Sequence, residues 1–169
     1  MADLRLVANA LDVERAVARH FCYRRNIIVP NVWWGLGLDH ECDMLILHSS
    51  GYAEEVEIKV AASDIVRDLK KRHRHASNKI RALWFAVPEH LAQHPAIPES
   101  AGIISVSLGT WHTALKAETI RKPKQNQGAR KITEQERLKL LHLGCMRIWG
   151  LKDTIAERIR YRISEGSHK

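Results

Sequence analysis

Apolar and polar positions along this chain follow two periods, and the switches between them mark out its elements. From Asp12, read as a helix cap, Val13, Ala16, Val17, His20 and Phe21 recur at steps of three and four, which predicts a helix closed by Arg24 and Arg25. Asn26 to Trp34 is rich in β-branched and aromatic residues and predicts a strand; Pro30 donates no backbone hydrogen bond and argues for an edge position or a bulge. Cys42 to His48 predicts a second strand, ended by the turn Ser49-Ser50-Gly51. Beyond it Glu55, Glu57 and Lys59 alternate with Val56, Ile58 and Val60, the period of two expected of a strand with one buried face and one face carrying chemistry.

Ser63 is a suitable cap for a second helix, whose seam of Ile65, Val66 and Leu69 is surrounded by basic residues. Arg81 to Val87 predicts a buried fourth strand stopped by Pro88, and Gly102 to Ser107 a fifth, with a short helix near Glu89 to Gln93 between them. Arg121 to Lys131 reads as a loop or linker. Thr133 and Glu136 form a capping box before a helix that runs towards Gly144, and a further helix is expected over Lys152 to Arg162, the two making a hairpin with Leu138, Leu141 and Ile148 packed inward. The expectation is an α/β fold with an αβββαβ core, a mixed central sheet flanked by helices, and a C-terminal helical extension. Its divisions are a core at 1–110, a basic linker at 111–132 and the helical extension at 133–169.

Composition narrows the class. With 169 residues, 45% hydrophobic and 27% charged, the chain suits one folded domain and leaves no case for disorder. Its 27 Lys and Arg against 19 Asp and Glu give a net charge of +8, which favours polyanions as partners. Cys22, Cys42 and Cys145 are scattered and form no C-x-x-C pair, so neither a disulfide framework nor a zinc knuckle is encoded, and a reducing compartment is expected. No apolar run approaches the roughly 18 residues of a membrane span. The chain is therefore read as cytoplasmic, with no membrane partner.

The candidate chemistry lies on the second and third strands. Asp43 opens one, Glu57 and Lys59 share a face of the next, and a tight hairpin between them brings the three together. Two ionised carboxylates about 4 Å apart repel by roughly 4 kcal/mol at an effective dielectric near 20, so their company needs a proton or a cation. Hard oxygen ligands select Mg²⁺ or Mn²⁺, ions that keep several waters and leave room for a phosphate oxygen. The Ile58 backbone carbonyl is a further candidate ligand, Glu14 on the first helix a candidate outer carboxylate, and Lys59 is placed to orient water or neutralise developing charge. A Glu-x-Lys tripeptide alone usually marks a solvated strand face; the preceding Asp and the following basic helix set this one apart.

Asp43 with Glu57-Ile58-Lys59 resembles the signature of the PD-(D/E)XK nuclease superfamily, an Asp followed after a gap by Glu or Asp, any residue and Lys. The element order read from Asp12 to Val87 matches that superfamily's core. The segments HECDMLIL, VEIKVAASDIVRDLKKRHRH, LWFAVPEHL and IPESAGIISV are similar to its MmcB-like DNA-repair proteins. The resemblance covers roughly Glu14 to Ser107, and it departs from the signature in having Cys42 where a proline precedes the Asp. It implies metal-dependent hydrolysis of phosphodiester bonds and leaves open which nucleic acid is cut; the expectation for this chain is a deoxyribonuclease, most simply an endonuclease, in DNA repair or in phage or bacterial DNA processing. Asp43 and Glu57 would be metal ligands and Lys59 the catalytic lysine.

Arg67, Lys70, Lys71, Arg72, His73, Arg74 and Lys79 follow directly after the candidate metal strand and predict a phosphate-binding footprint for DNA, with RNA as the alternative. His73 and His75 diverge on a helix end, which disfavours zinc. His40 is expected as a solvated loop residue, with orientation of water as the alternative role. Two other readings stay open: a non-catalytic nucleic-acid-binding module on the same fold, and a basic scaffold that works through its C-terminal helices. A homodimer is compatible with each.

Overall fold

A computed structural model describes residues 9–33, 36–38, 40–69, 77–108 and 115–166 of the chain. The first helix, α1 (Ala10–His20), starts ahead of Asp12: Asn9 is the cap, its side chain accepting the Asp12 backbone N–H at 2.9 Å. Asp12 instead supplies a negative charge to the first turn, where the helix dipole favours it. Three strands follow, β1 (Ile27–Val32), β2 (Cys42–Leu47) and β3 (Ala53–Ile58), then α2 (Ala62–Leu69) and β4 (Ile80–Pro88). A single 3₁₀ turn (Glu89–Leu91) leads to β5 (Gly102–Leu108), β6 (Leu115–Arg121) and the long helix α3 (Glu134–Gly166).

Among the described residues six strands form one mixed sheet in sequence order, β1 to β6. β1, β2 and β3 pair antiparallel, β3, β4 and β5 pair parallel, and β6 returns antiparallel. The expected αβββαβ core is present. Pro30 sits on an edge strand, where its missing N–H faces no neighbour, and the residue after it, Asn31, takes a left-handed φ of 51°.

Both faces of the sheet are covered. Val13, Ala16 and Val17 of α1 pack on Met44, Ile46, Val56 and Trp84 on one side. On the other, Leu140 and Leu143 of α3 cover Val29, Leu45, Leu47 and Ala53, and a separate cluster joins Ile65 of α2 to Phe85, Val87 and Ile103. Gly102 lets Trp84 lie flat against β5: a Cβ there would stand 2.3 Å from the indole.

Two expectations for the C-terminal third are corrected. Residues 115–121, inside the supposed linker, form β6, because Leu115 and Ala117 turn towards α1 and its core cluster while Lys116 and Glu118 face water. The chain after β6 is tied down as well, with Lys124 bonded through its backbone to Ser100, Asn126 to Arg81, Arg130 to Asn78 and Ile132 to Gly51. The predicted helical hairpin is a single 33-residue helix, in which Leu138, Leu141 and Ile148 are exposed. Its start is as expected: Thr133 and Glu136 form the reciprocal capping box, and Arg130 clamps the Glu136 carboxylate at 2.6 and 2.8 Å.

Candidate metal and phosphate site

The register of β2 on β3 sets Met44 opposite Val56 and Leu45 opposite Glu55, so the next pair outward brings Asp43 to Glu57 on one face. Asp43 Oδ2 accepts the Ile58 backbone N–H at 2.8 Å and the Lys59 ammonium at 3.2 Å. Glu57 Oε2 accepts from the same ammonium. Both carboxylates therefore meet at one cationic nitrogen, at the end of the β2–β3 hairpin remote from its turn.

What the alternation left open was which face of β3 is buried, and the answer is both. Val56 is fully buried on one side, while Glu55, Glu57 and Lys59 on the other are 0%, 1% and 7% exposed. The solvated mixed-charge face that such a tripeptide usually signifies is excluded. Ionised groups in such positions are strongly disfavoured unless each finds a partner. Asp43 is the opening, its side chain retaining 37% of its exposure.

The electrostatics follow from this burial. Desolvation and then the Asp43 charge push the Glu57 carboxyl up to about 7, against the pull of Lys59. Glu57 Oε1 is buried with no hydrogen-bond partner among the described residues. Burial, followed by the charges of Glu55 and Glu57, pushes the Cys42 thiol far above its ordinary range, so Cys42 is an inert packing residue in a negative environment. Glu14 on α1 is half-buried, and its carboxyl is raised by burial and by Asp43. The first helix thus brings Glu14 within the electrostatic field of Asp43.

Two further residues belong with this site, Glu55, to which the sequence assigned no role, and His40, expected as a solvated loop residue. His40 is buried and its Nε2 lies 2.7 Å from Glu55 Oε1, so it is no solvated loop residue. Glu55 shares a face with Glu57 by strand parity, and that parity was the available signal: whatever buried one would bury the other. Nothing in the local sequence indicated that His40, from the preceding loop, would be its partner.

The basic footprint divides. Arg67 is exposed, paired only loosely with Asp64 at 3.5 Å. Lys70, Lys71, Arg72, His73 and Arg74 lie outside the described residues. Lys79 is engaged within the fold: its ammonium is held by the Leu36 carbonyl and by Glu136 at 3.2 Å, which joins the β4 entrance to the start of α3. Arg81 likewise turns inward, 4.1 Å above the Tyr52 ring and bonded to Gln125 at 2.9 Å.

Among the described residues no three His, Cys, Asp or Glu side chains are grouped to hold a metal ion. Two carboxylates beside a backbone carbonyl could hold Mg²⁺ or Mn²⁺, ions that need only one or two carboxylates plus water. The unpartnered Glu57 Oε1 is a vacant hard donor of the right chemistry. Because an extended residue directs its N–H and C=O to the same side, the Ile58 carbonyl leaves the strand on the side where its N–H meets Asp43.

No protein family's sequence profile matches the chain. No curated protein matches it either. Among solved structures it is similar to a protein of unknown function from Silicibacter pomeroyi, at 18% identity and a TM-score of 0.60, over 88% of this chain and 92% of that one. That likeness shows the fold, a mixed sheet between helices, and the fold alone.

Proposed function

We propose that this chain is a Mg²⁺- or Mn²⁺-dependent deoxyribonuclease of the PD-(D/E)XK kind, acting as an endonuclease in DNA repair or in phage or bacterial DNA processing. The observation that carries the reading is the buried Glu57, raised in pKa and with one oxygen unpartnered, sharing the Lys59 ammonium with Asp43 where the sheet opens to solvent. Structural proteins seldom keep such a group, because an apolar residue of similar size would cost less; active sites do.

Asp43, Glu57 and the Ile58 carbonyl would hold the cation. When bound, it supplies positive charge against the charge that develops on the phosphate, and it makes a nearby water easier to deprotonate. Lys59, fixed by two carboxylates, presents a proton donor and a positive charge to the same phosphate. Glu55 backs Glu57 along the strand and is itself steadied by His40, which keeps the acidic face in register. The exposed Arg67 and the basic residues after it would bind the DNA backbone. The three cysteines, all free, fit a cytoplasmic setting.

One observation favours a second reading, a DNA-binding module without turnover: Lys59 already neutralises both carboxylates where a cation would stand. Incubation of the purified protein with single-stranded, duplex and branched DNA in Mn²⁺ separates the two. The nuclease reading expects cleavage that Lys59→Ala abolishes while DNA affinity stays within a few-fold. Binding with all three substrates left intact would favour the module.

A further inference from the structure

The last helix outruns the domain it belongs to. At a rise of about 1.5 Å per residue its 33 residues span roughly 50 Å. Its packing on the sheet comes from its first part alone, through Leu140 and Leu143, which lie chiefly on β1 and reach Leu45, Leu47 and Ala53 of the next two strands. From Cys145 to Ile163 every described residue except Ala156 is exposed. A polar helix could project in this way, but this one is not polar. Leu141, Cys145, Ile148, Ile155, Ile159 and Ile163 recur at steps of three, four and seven and form one apolar stripe, interrupted by Lys152 and about a third of a turn away from Leu140 and Leu143.

The first part of that stripe is one wall of a groove of about 620 Å³, whose opposite wall is Leu11, Glu14 and Tyr23 at the ends of α1 and Ile28 and Pro30 of the edge strand. One surface therefore has two halves: a concave apolar groove beside the domain and a convex apolar helix beyond it, both built on α3. An isologous interface needs this self-complementarity.

We propose that two copies of this chain pair about a two-fold axis with their α3 helices antiparallel, the far half of each helix lying along the groove of the other. Matching the ends of the stripe sets Leu141 against Ile163 and Cys145 against Ile159. A parallel pair would leave both grooves empty. Antiparallel helices set like flanks side by side, so Arg158 and Arg162, which continue the row of Leu151 and Ile155, face the groove wall that carries Glu14. Basic residues thus oppose the groove's acid. This register sets Lys152 opposite its own copy at the middle of the seam, where its ammonium is folded 4.8 Å from the Trp149 ring, towards the edge of the stripe. Groove and stripe together involve roughly 20 residues a side, within the range of stable interfaces. DNA is a poor occupant, because protein surfaces that bind it are polar and strongly basic. The pairing is independent of whether Asp43 and Glu57 hold a cation.

Sedimentation of the full chain over a concentration range tests this. The expected species has twice the 19.3 kDa mass of one chain. Ile155→Glu with Ile159→Glu, at positions 48% and 54% exposed and so harmless to the fold, should weaken association at least 100-fold, whereas Lys139→Glu on another side of the helix should leave it unchanged. Ile159→Cys should form a disulfide with Cys145 of the other copy under mild oxidation, and Cys145→Ser should prevent it. A monomer at every concentration, a dimer indifferent to the two glutamates, or a dimer that Ile159→Cys fails to cross-link would overturn the proposal.

Discussion

Strand β3 and the far half of α3 invert the usual placement of residues in opposite senses. β3 buries Glu55 and Glu57, with Lys59 just beyond its end, at the centre of a sheet, whereas α3 exposes Ile148, Leu151, Ile155 and Ile159 along a helix that touches little of its own domain. Exposed apolar residues are ordinary when scattered, and buried charges are tolerable when paired. Here the apolar residues recur along one side of a helix, and Glu57 keeps an oxygen with no hydrogen-bond partner among the described residues. Each region is stable only in part by what the chain itself supplies. On the proposed readings the complement differs in kind: a hard cation and a phosphate would complete β3, an apolar surface would cover α3.

The contrast can be broken most forcefully at the carboxylates. Glu57→Gln removes charge and keeps shape; it should lower DNA cleavage by about 100- to 1,000-fold, with DNA affinity nearly unchanged in a binding assay. His40→Ala should cost less, about 10- to 100-fold in cleavage, because it acts through Glu55. The same variant should lose roughly 1–3 kcal/mol of stability in urea melts, as Glu55 loses a buried hydrogen bond.

Acidity sharpens the comparison further. Glu57 is raised to about 7 in the folded chain against an ordinary 4.5, so the folded state holds its proton more tightly than the unfolded state does. Its contribution to stability is complete below about pH 4.5 and is lost as pH rises through about 7. Mn²⁺ should compensate at the upper end. The rise in melting temperature on adding Mn²⁺ is therefore expected to be a few degrees larger at pH 8 than at pH 6, measured by calorimetry, and Glu57→Gln should remove that difference.

The smallest effects concern the basic residues. Arg67→Ala should reduce the slope of log affinity against log salt by about one, as expected of a phosphate contact, while Lys79→Met should leave the slope unchanged and cost about 1 kcal/mol of stability.

Much of this was legible in the sequence, and unevenly so. The αβββαβ order was readable because each core strand announces itself by period and by its turns, and Asp43 with Glu57 and Lys59 followed from strand parity. Burial of the charged face was not readable, because alternation reports that two faces differ and is silent on how many are covered; α3 and the α2 region cover the second. β6 was missed since Lys116, Glu118 and Thr119 give an exposed edge strand almost no apolar signal. The single helix α3 was read as a hairpin because Gly144 and Gly150 look like stops, yet the helix runs through both. Lys79 was indistinguishable from its basic neighbours, and its partner Glu136 is distant in sequence.

A crystal soaked in Mn²⁺ tests the central claim most directly. An anomalous peak bound by oxygens of both Asp43 and Glu57, with Lys59 displaced from at least one of them, is the expected result. Full Mn²⁺ exposure with no peak there, and Lys59 still bridging the two carboxylates, would contradict it.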